Sequence, residues 1–261
     1  MRIGQIIFDR TVAGLTAFKN AGLSFAEICL NFPEDDERIL GEVDALCAAI
    51  DESGLPVSCL GRWNHAAQKD GILLPEEKER YLSLVDVAGA IGARTFVVGC
   101  NYDASATLYK NYTNAIELFG ALCERARKYD IRVAVQNCNW NNFVVSPREW
   151  EVILGELPEL CLKYDPSHAY GRGADYLAEL SDWGDRVAHV HVKGCVKAGS
   201  RPIDDPPAGM DDLNWGAIFA ILYARGYDGD LSIEPHSKTW RGERGAAGVE
   251  FTKQYIKKYI V

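Results

Sequence analysis

The chain contains no apolar run approaching the ~20 residues of a membrane-spanning helix, because Gly or a charged residue interrupts every candidate. Residues 1–11, MRIGQIIFDRT, hold no apolar signal core. Export by that route is not expected, and the cytoplasm is the expected compartment. Neither G-x-G-x-x-G nor G-K-[ST] follows the first apolar run, which removes the common nucleotide-binding loops. No C-x-x-C pair occurs among the eight cysteines, and Cys29, Cys59, Cys100, Cys138 and Cys161 lie in or beside apolar runs. Buried free thiols are therefore expected rather than a disulfide framework. Basic residues are in deficit: 28 Lys and Arg against 37 Asp and Glu give a net charge of −9. From that balance, neither nucleic acid nor a membrane surface is an expected partner.

What is present is an ordinary globular balance, 261 residues with 48% hydrophobic and 25% charged. Short β-rich runs alternate with longer amphipathic stretches. The runs are 2–8, 25–30, 56–61, 95–100, 132–138, 160–165, 187–193 and 230–235. Between them, Leu74-Pro75-Glu76-Glu77 places a proline and acids in the first turn of a helix running to Ala93. Ser146-Pro147-Arg148-Glu149 reads as a capping box with proline at the first helical position. Gly22, Gly54, Gly92 and Gly226 each fall where a helix would end shortly before a strand. Near-continuous apolar strands separated by helices imply a parallel sheet covered by helices, and eight strands are the number that closes. An open doubly wound sheet is the rival, without its phosphate loop. The expected fold is therefore α/β, a single (β/α)8 TIM barrel spanning 1–261 as one domain, with 194–209 a long loop after the seventh strand.

A barrel gathers its reactive groups at the C-terminal ends of its strands. The five histidines follow that rule: His65 after the third run, His168 after the sixth, His189 and His191 on the seventh and His236 after the eighth. None was expected in a helix. Strand alternation puts His189, His191 and Lys193 on one face, with His191 nearer the mouth and His189 deeper. Asp165 and Glu234 each end an apolar run, where an acid is costly to bury unless it is paired or bound to a cation. Asp165, His191 and Glu234 suit a hard or borderline divalent ion, with the amide oxygen of Gln136 as a fourth donor. The competing reading is an ion-pair network with Lys163, Lys193 or Arg62. Trp63, Trp140 and Trp240 follow strands three, five and eight, and read equally as sugar-stacking rings or core aromatics. Arg62, Lys193, Lys197, Arg201 and Lys238 fall in the top loops, to receive an anionic group or to pair with Asp204, Asp205 and Asp211.

Three segments carry a resemblance: Lys163-Tyr164-Asp165-Pro166-Ser167-His168, His189-Val190-His191-Val192-Lys193, and Tyr227-Asp228-Gly229-Asp230-Leu231-Ser232-Ile233-Glu234. A fourth, 207–215, is similar to a Pro-Gly-x-Gly-x-x-x-Trp segment. Together they resemble the xylose isomerase-like barrels, which include sugar-phosphate isomerases and epimerases, ketose 3-epimerases and endonuclease IV. The resemblance implies one divalent metal ion (Mn, Mg, Co or Zn) on Gln136, Asp165, His191 and Glu234. It also puts His168 near substrate hydroxyls. From the residues themselves, Glu234, His168 and Lys193 are the expected catalytic groups, and His65, Trp63, Trp140, Arg201 and His236 the expected substrate contacts. Oligomers are common among these barrels, so a homo-oligomer or a partner subunit is implied as well.

One departure stands out. The family commonly carries Glu at the end of the fifth strand, where this chain has Gln136-Asn137-Cys138. Family epimerases and isomerases use two ligand carboxylates on opposite faces of the sugar carbon, and an amide cannot move a proton. The leading expectation is a metal-dependent sugar isomerase or epimerase working by proton transfer beside a carbonyl. A 3-keto-sugar lyase or C-glycoside deglycosidase, needing one base, is the alternative, and a lapsed sugar-binding barrel the third. Endonuclease chemistry is not expected, since three zinc ions need more ligands than these histidines supply.

Overall fold

Each of the eight apolar runs forms a strand in the computed structural model, which describes residues 1–261. The strands are β1 (Arg2–Ile6), β2 (Ala26–Leu30), β3 (Val57–Arg62), β4 (Thr95–Val98), β5 (Arg132–Gln136), β6 (Cys161–Tyr164), β7 (Val187–Val192) and β8 (Asp230–Ile233). They close into a parallel barrel in chain order, with β1 beside β8. The fold is a single (β/α)8 barrel. No helix is long and apolar enough to cross a membrane.

The helix signals act as their local chemistry dictates. Pro75 and Pro147 each stand in the first turn of their helices, Pro75–Ala90 and Pro147–Glu156. The first of these stops before the expected Ala93, because Ile91 caps it and Gly92 turns at φ 71°. Gly54 caps Val43–Ser53 at φ 62°, its N–H on the Ile50 carbonyl, a conformation that costs a side-chain-bearing residue more. Ser146 departs from the expected box: its hydroxyl donates to the Glu149 carboxylate at 2.6 Å and does not accept from the helix backbone.

Three expectations are corrected. The 194–209 segment is not a plain loop, because Val196–Ala198 and Arg201–Asp204 pair as an antiparallel hairpin around Gly199. A helix at Pro33–Gly41 and a second hairpin, Gln68–Lys69 with Ile72–Leu73, carry no clear periodicity and were not expected. His168 lies in a short helix, Pro166–Gly171, started by Pro166 and by the Asp165 side chain.

By internal packing the chain divides into two compact units, Met1–Ile6 with Lys163–Val261, and Ile7–Leu162. In the first, β8 pairs with both β1 and β7, setting Ser232 opposite His191. In the second, β2, β3, β4 and β5 pair in succession over a core that includes Phe25, Ile28, Leu60, Phe96 and Phe119. All eight cysteines are free.

Candidate metal and proton-transfer site

Three backbone features aim the charged groups of the first unit. Asp165 follows β6 and caps the helix Pro166–Gly171, its Oδ1 accepting from the Ser167 N–H at 2.8 Å. That bond fixes the carboxylate rotamer and turns Oδ2 toward the cations. Glu234 follows β8, and its N–H still reaches the Val192 carbonyl at 3.2 Å, so the ladder holds the residue at the strand's end. On β7 the alternation places His189, His191 and Lys193 on one side, with His189 fully buried and its ring 5.6 Å from that of His191.

The result is one tight cluster. Donor atoms of Asp165, His191 and Glu234 all lie within 4.8 Å of one another. Lys193 Nζ stands 3.0 Å from Glu234 Oε2 and 3.4 Å from Asp165 Oδ2. His191 Nδ1 is 3.4 Å from Glu234 Oε2, and Lys163 Nζ is 4.0 Å from Asp165 Oδ2. The ammonium of Lys193 also lies 3.2 Å from His168 Nε2. An ammonium only donates, so this ring nitrogen accepts and the imidazole proton sits on Nδ1. Asp165, His191, Lys163 and Lys193 are buried, while the side chains of Glu234 and His168 keep 20% and 24% of their surface. Solvent, and hence a substrate, meets the cluster through those two.

Electrostatics fix the protonation states. Burial raises the Asp165 and Glu234 carboxyls, but Lys193 outweighs it and holds both well below the usual carboxylate range. Burial lowers the Lys193 amine, and Asp165 and Glu234 reverse that, leaving it above the ordinary lysine value. His168 is pushed down to about 3, by burial first and by Lys193 second. Two carboxylates, one firmly charged ammonium and a neutral imidazole therefore face one another. The donor set suits a hard or borderline divalent ion, and Lys163 and Lys193 pair with the same acids, while Arg62, the other cation considered, pairs with Asp36 and Glu77.

A cleft in the same unit is lined by Lys193, Glu234, Asp205, His236, Ser237 and Trp240. His236 is exposed and its Nδ1 is 2.9 Å from Asp205 Oδ2. Ser237 donates to Asp204 at 2.6 Å. Arg201 stands exposed on the hairpin and does not line this cleft. Asp205 and Ser237 were not singled out from sequence as lining residues, since a loop acid and a serine carry no periodic signal.

In the second unit, Gln136 ends β5 buried, and neither atom of its amide has a hydrogen-bond partner. An unmet buried amide is costly, which is what a missing polar occupant leaves behind. Trp140 is exposed and meets Phe32 edge-on at 6.2 Å. Trp63 and His65 do not behave as surface contacts. Trp63 packs with Cys59 and Val97 over Gly61, whose absent Cβ makes room for the ring, so of its two readings core packing holds. His65 binds the Trp63 carbonyl and stands 3.4 Å from Asp36 Oδ2. Arg62 is no anion receptor either: it is buried, its Nη2 2.6 Å from Asp36 and its Nη1 2.8 Å from Glu77.

The xylose isomerase-like TIM barrel family matches residues 15–255. Uncharacterized protein YfiH of Bacillus subtilis (strain 168) is 27% identical over 124 residues, so the match spans 39% of this chain and only 39% of that protein. Among solved structures, the 3-keto-D-glucoside 4-epimerase YcjR from E. coli superposes with a TM-score of 0.77 at 16% identity, over 99% of each chain. A D-allulose 3-epimerase from Methylomonas sp. in complex with D-allulose gives 0.77 at 19% identity, over 100% of this chain and 97% of that one. At such identities the shared property is the fold.

Proposed function

The chain belongs to the xylose isomerase-like TIM barrel family, and on that premise we propose that it is a metal-dependent isomerase or epimerase of a sugar or sugar derivative. The observation that carries this reading is the convergence of Asp165, His191 and Glu234 donor atoms within 4.8 Å. These three would hold the ion. A bound divalent ion supplies Lewis-acid polarisation of a carbonyl and its neighbouring hydroxyl. The cytoplasm is the proposed compartment, and neither nucleic acid nor a membrane enters the reading.

The side chains divide the remaining work. Glu234, the more exposed of the two acids, takes the proton from the carbon beside the carbonyl. Lys193, held charged, meets the oxyanion that forms as the proton leaves. His168, neutral with its proton on Nδ1, presents that N–H to a substrate hydroxyl. His236 and Trp240 line the approach, and Trp140 and Arg201 are proposed as further substrate contacts. Metal content followed by deuterium uptake from D2O into a panel of ketoses tests the reading. Glu234→Gln should lower kcat by about 10²–10⁴. A protein with neither metal nor exchange contradicts it.

A second reading rests on Gln136. With no carboxylate at that position, elimination from a 3-keto-glycoside would need only the Glu234 base. Release of an aglycone without epimerised product separates the two.

A further inference from the structure

The carboxylates that suit a metal ion are the carboxylates that hold Lys193. Its ammonium touches Glu234 Oε2 at 3.0 Å and Asp165 Oδ2 at 3.4 Å, and both residues belong to the candidate ligand set. A divalent ion bound to the same atoms would stand against a fixed positive charge with almost no water between to screen it, since Lys193, Asp165 and His191 are buried. The charge count sharpens the conflict. Asp165 and Glu234 supply two negative charges, and Lys193 with Lys163, 4.0 Å from Asp165, supplies two positive ones. These four side chains are together neutral without any ion.

We propose that Lys193 is a resident cation that competes with the metal, so that a divalent ion binds only as the lysine ammonium swings out of the space between Asp165 and Glu234. The proposal rests on the reading of Asp165, His191 and Glu234 as ligands. It adds that this chain, by keeping Lys193 between the two acids, has a built-in occupant of the site. Lys193 is then placed to serve the substrate only after the ion has displaced it. His168 marks where the ammonium starts, 3.2 Å from its Nε2. The ammonium is held by Glu234, Asp165 and His168 as a point charge on a flexible stem, which permits the movement once an ion takes the two carboxylates.

The test is Mn²⁺ binding, read by the loss of the free-ion EPR signal, for the wild-type chain and Lys193→Met. Lys193→Met should bind Mn²⁺ at least about tenfold more tightly than wild type, because removing the competitor leaves both carboxylates to the ion. Lys193→Gln, of similar length and able to hydrogen bond, replaces Lys193→Met if the methionine variant does not fold, with the same expectation. Equal or weaker binding by the lysine variants overturns the competition while leaving the metal reading intact. Failure of every variant and of wild type to bind Mn²⁺, Co²⁺ or Zn²⁺ overturns both.

Discussion

Each unit of the barrel sets a cation between two carboxylates with histidine alongside, and the two clusters differ in that cation. In the Ile7–Leu162 unit, Arg62 spans Asp36 and Glu77 with separate nitrogens, and its Cζ lies 4.2 Å over the Tyr81 ring. A planar fork with several partners and an aromatic face has one arrangement and no route out of it. In the other unit, Lys193 meets Asp165 and Glu234 as a point charge on a flexible stem, and Glu234 reaches solvent. The arginine closes its site, whereas the lysine only fills one. The comparison separates a cluster that holds structure from one that is available for chemistry.

Breaking the two cations should therefore give different signatures. Arg62→Met strands a buried Asp36 and should cost about 3–5 kcal/mol in urea unfolding, with or without divalent metal. Lys193→Met should be destabilised in EDTA for the same reason, yet recover about 2.7 kcal/mol at an Mn²⁺ concentration a hundredfold above its Kd, where Arg62→Met, which keeps the competing lysine, gains less. Equal gains at that one Mn²⁺ concentration would erase the distinction.

A smaller effect is expected from pH. Burial first and Arg62 second lower the His65 pKa below its ordinary 6.5. The folded chain thus leaves this ring neutral where the unfolded chain protonates it, so the contribution is complete above that value and is lost as pH falls. His65→Gln should flatten the decline in Tm between about pH 7.5 and pH 5.5. An unchanged decline would show that His65 is not its source. Least of all, Arg201→Ala should alter stability by no more than about 0.5 kcal/mol, as an exposed hairpin residue. It should raise KM without changing kcat, and an unchanged KM would remove Arg201 from the substrate site.

Much of this was legible because it is local. The strands, the proline starts and the glycine ends follow from period and backbone chemistry within a few residues. That His191 stands with His189 and Lys193 on one side of β7 follows from alternation, and the three proposed ligands stand at or near strand ends as the barrel's period requires. What escaped depended on distances through space. Arg62 and Asp36 are 26 positions apart, and no local pattern pairs them. Trp63 follows a strand as a mouth residue would, yet Gly61 opens a slot that draws it into the core. The short helix carrying His168 depends on Asp165 serving as cap, a role hidden behind its candidacy as a ligand. The position of Lys193 between two acids required the register of β7 against β8 together with that cap.

The central claim is that Asp165, His191 and Glu234 grip one divalent ion at the barrel's strand ends. Anomalous scattering at the manganese edge, from wild-type crystals grown with Mn²⁺, tests it most directly. The account predicts a peak about 2.0–2.3 Å from a donor atom of each of the three residues, with Lys193 Nζ withdrawn from the carboxylates. A crystal of active enzyme with no peak there, and the ammonium still between Asp165 and Glu234, would contradict it.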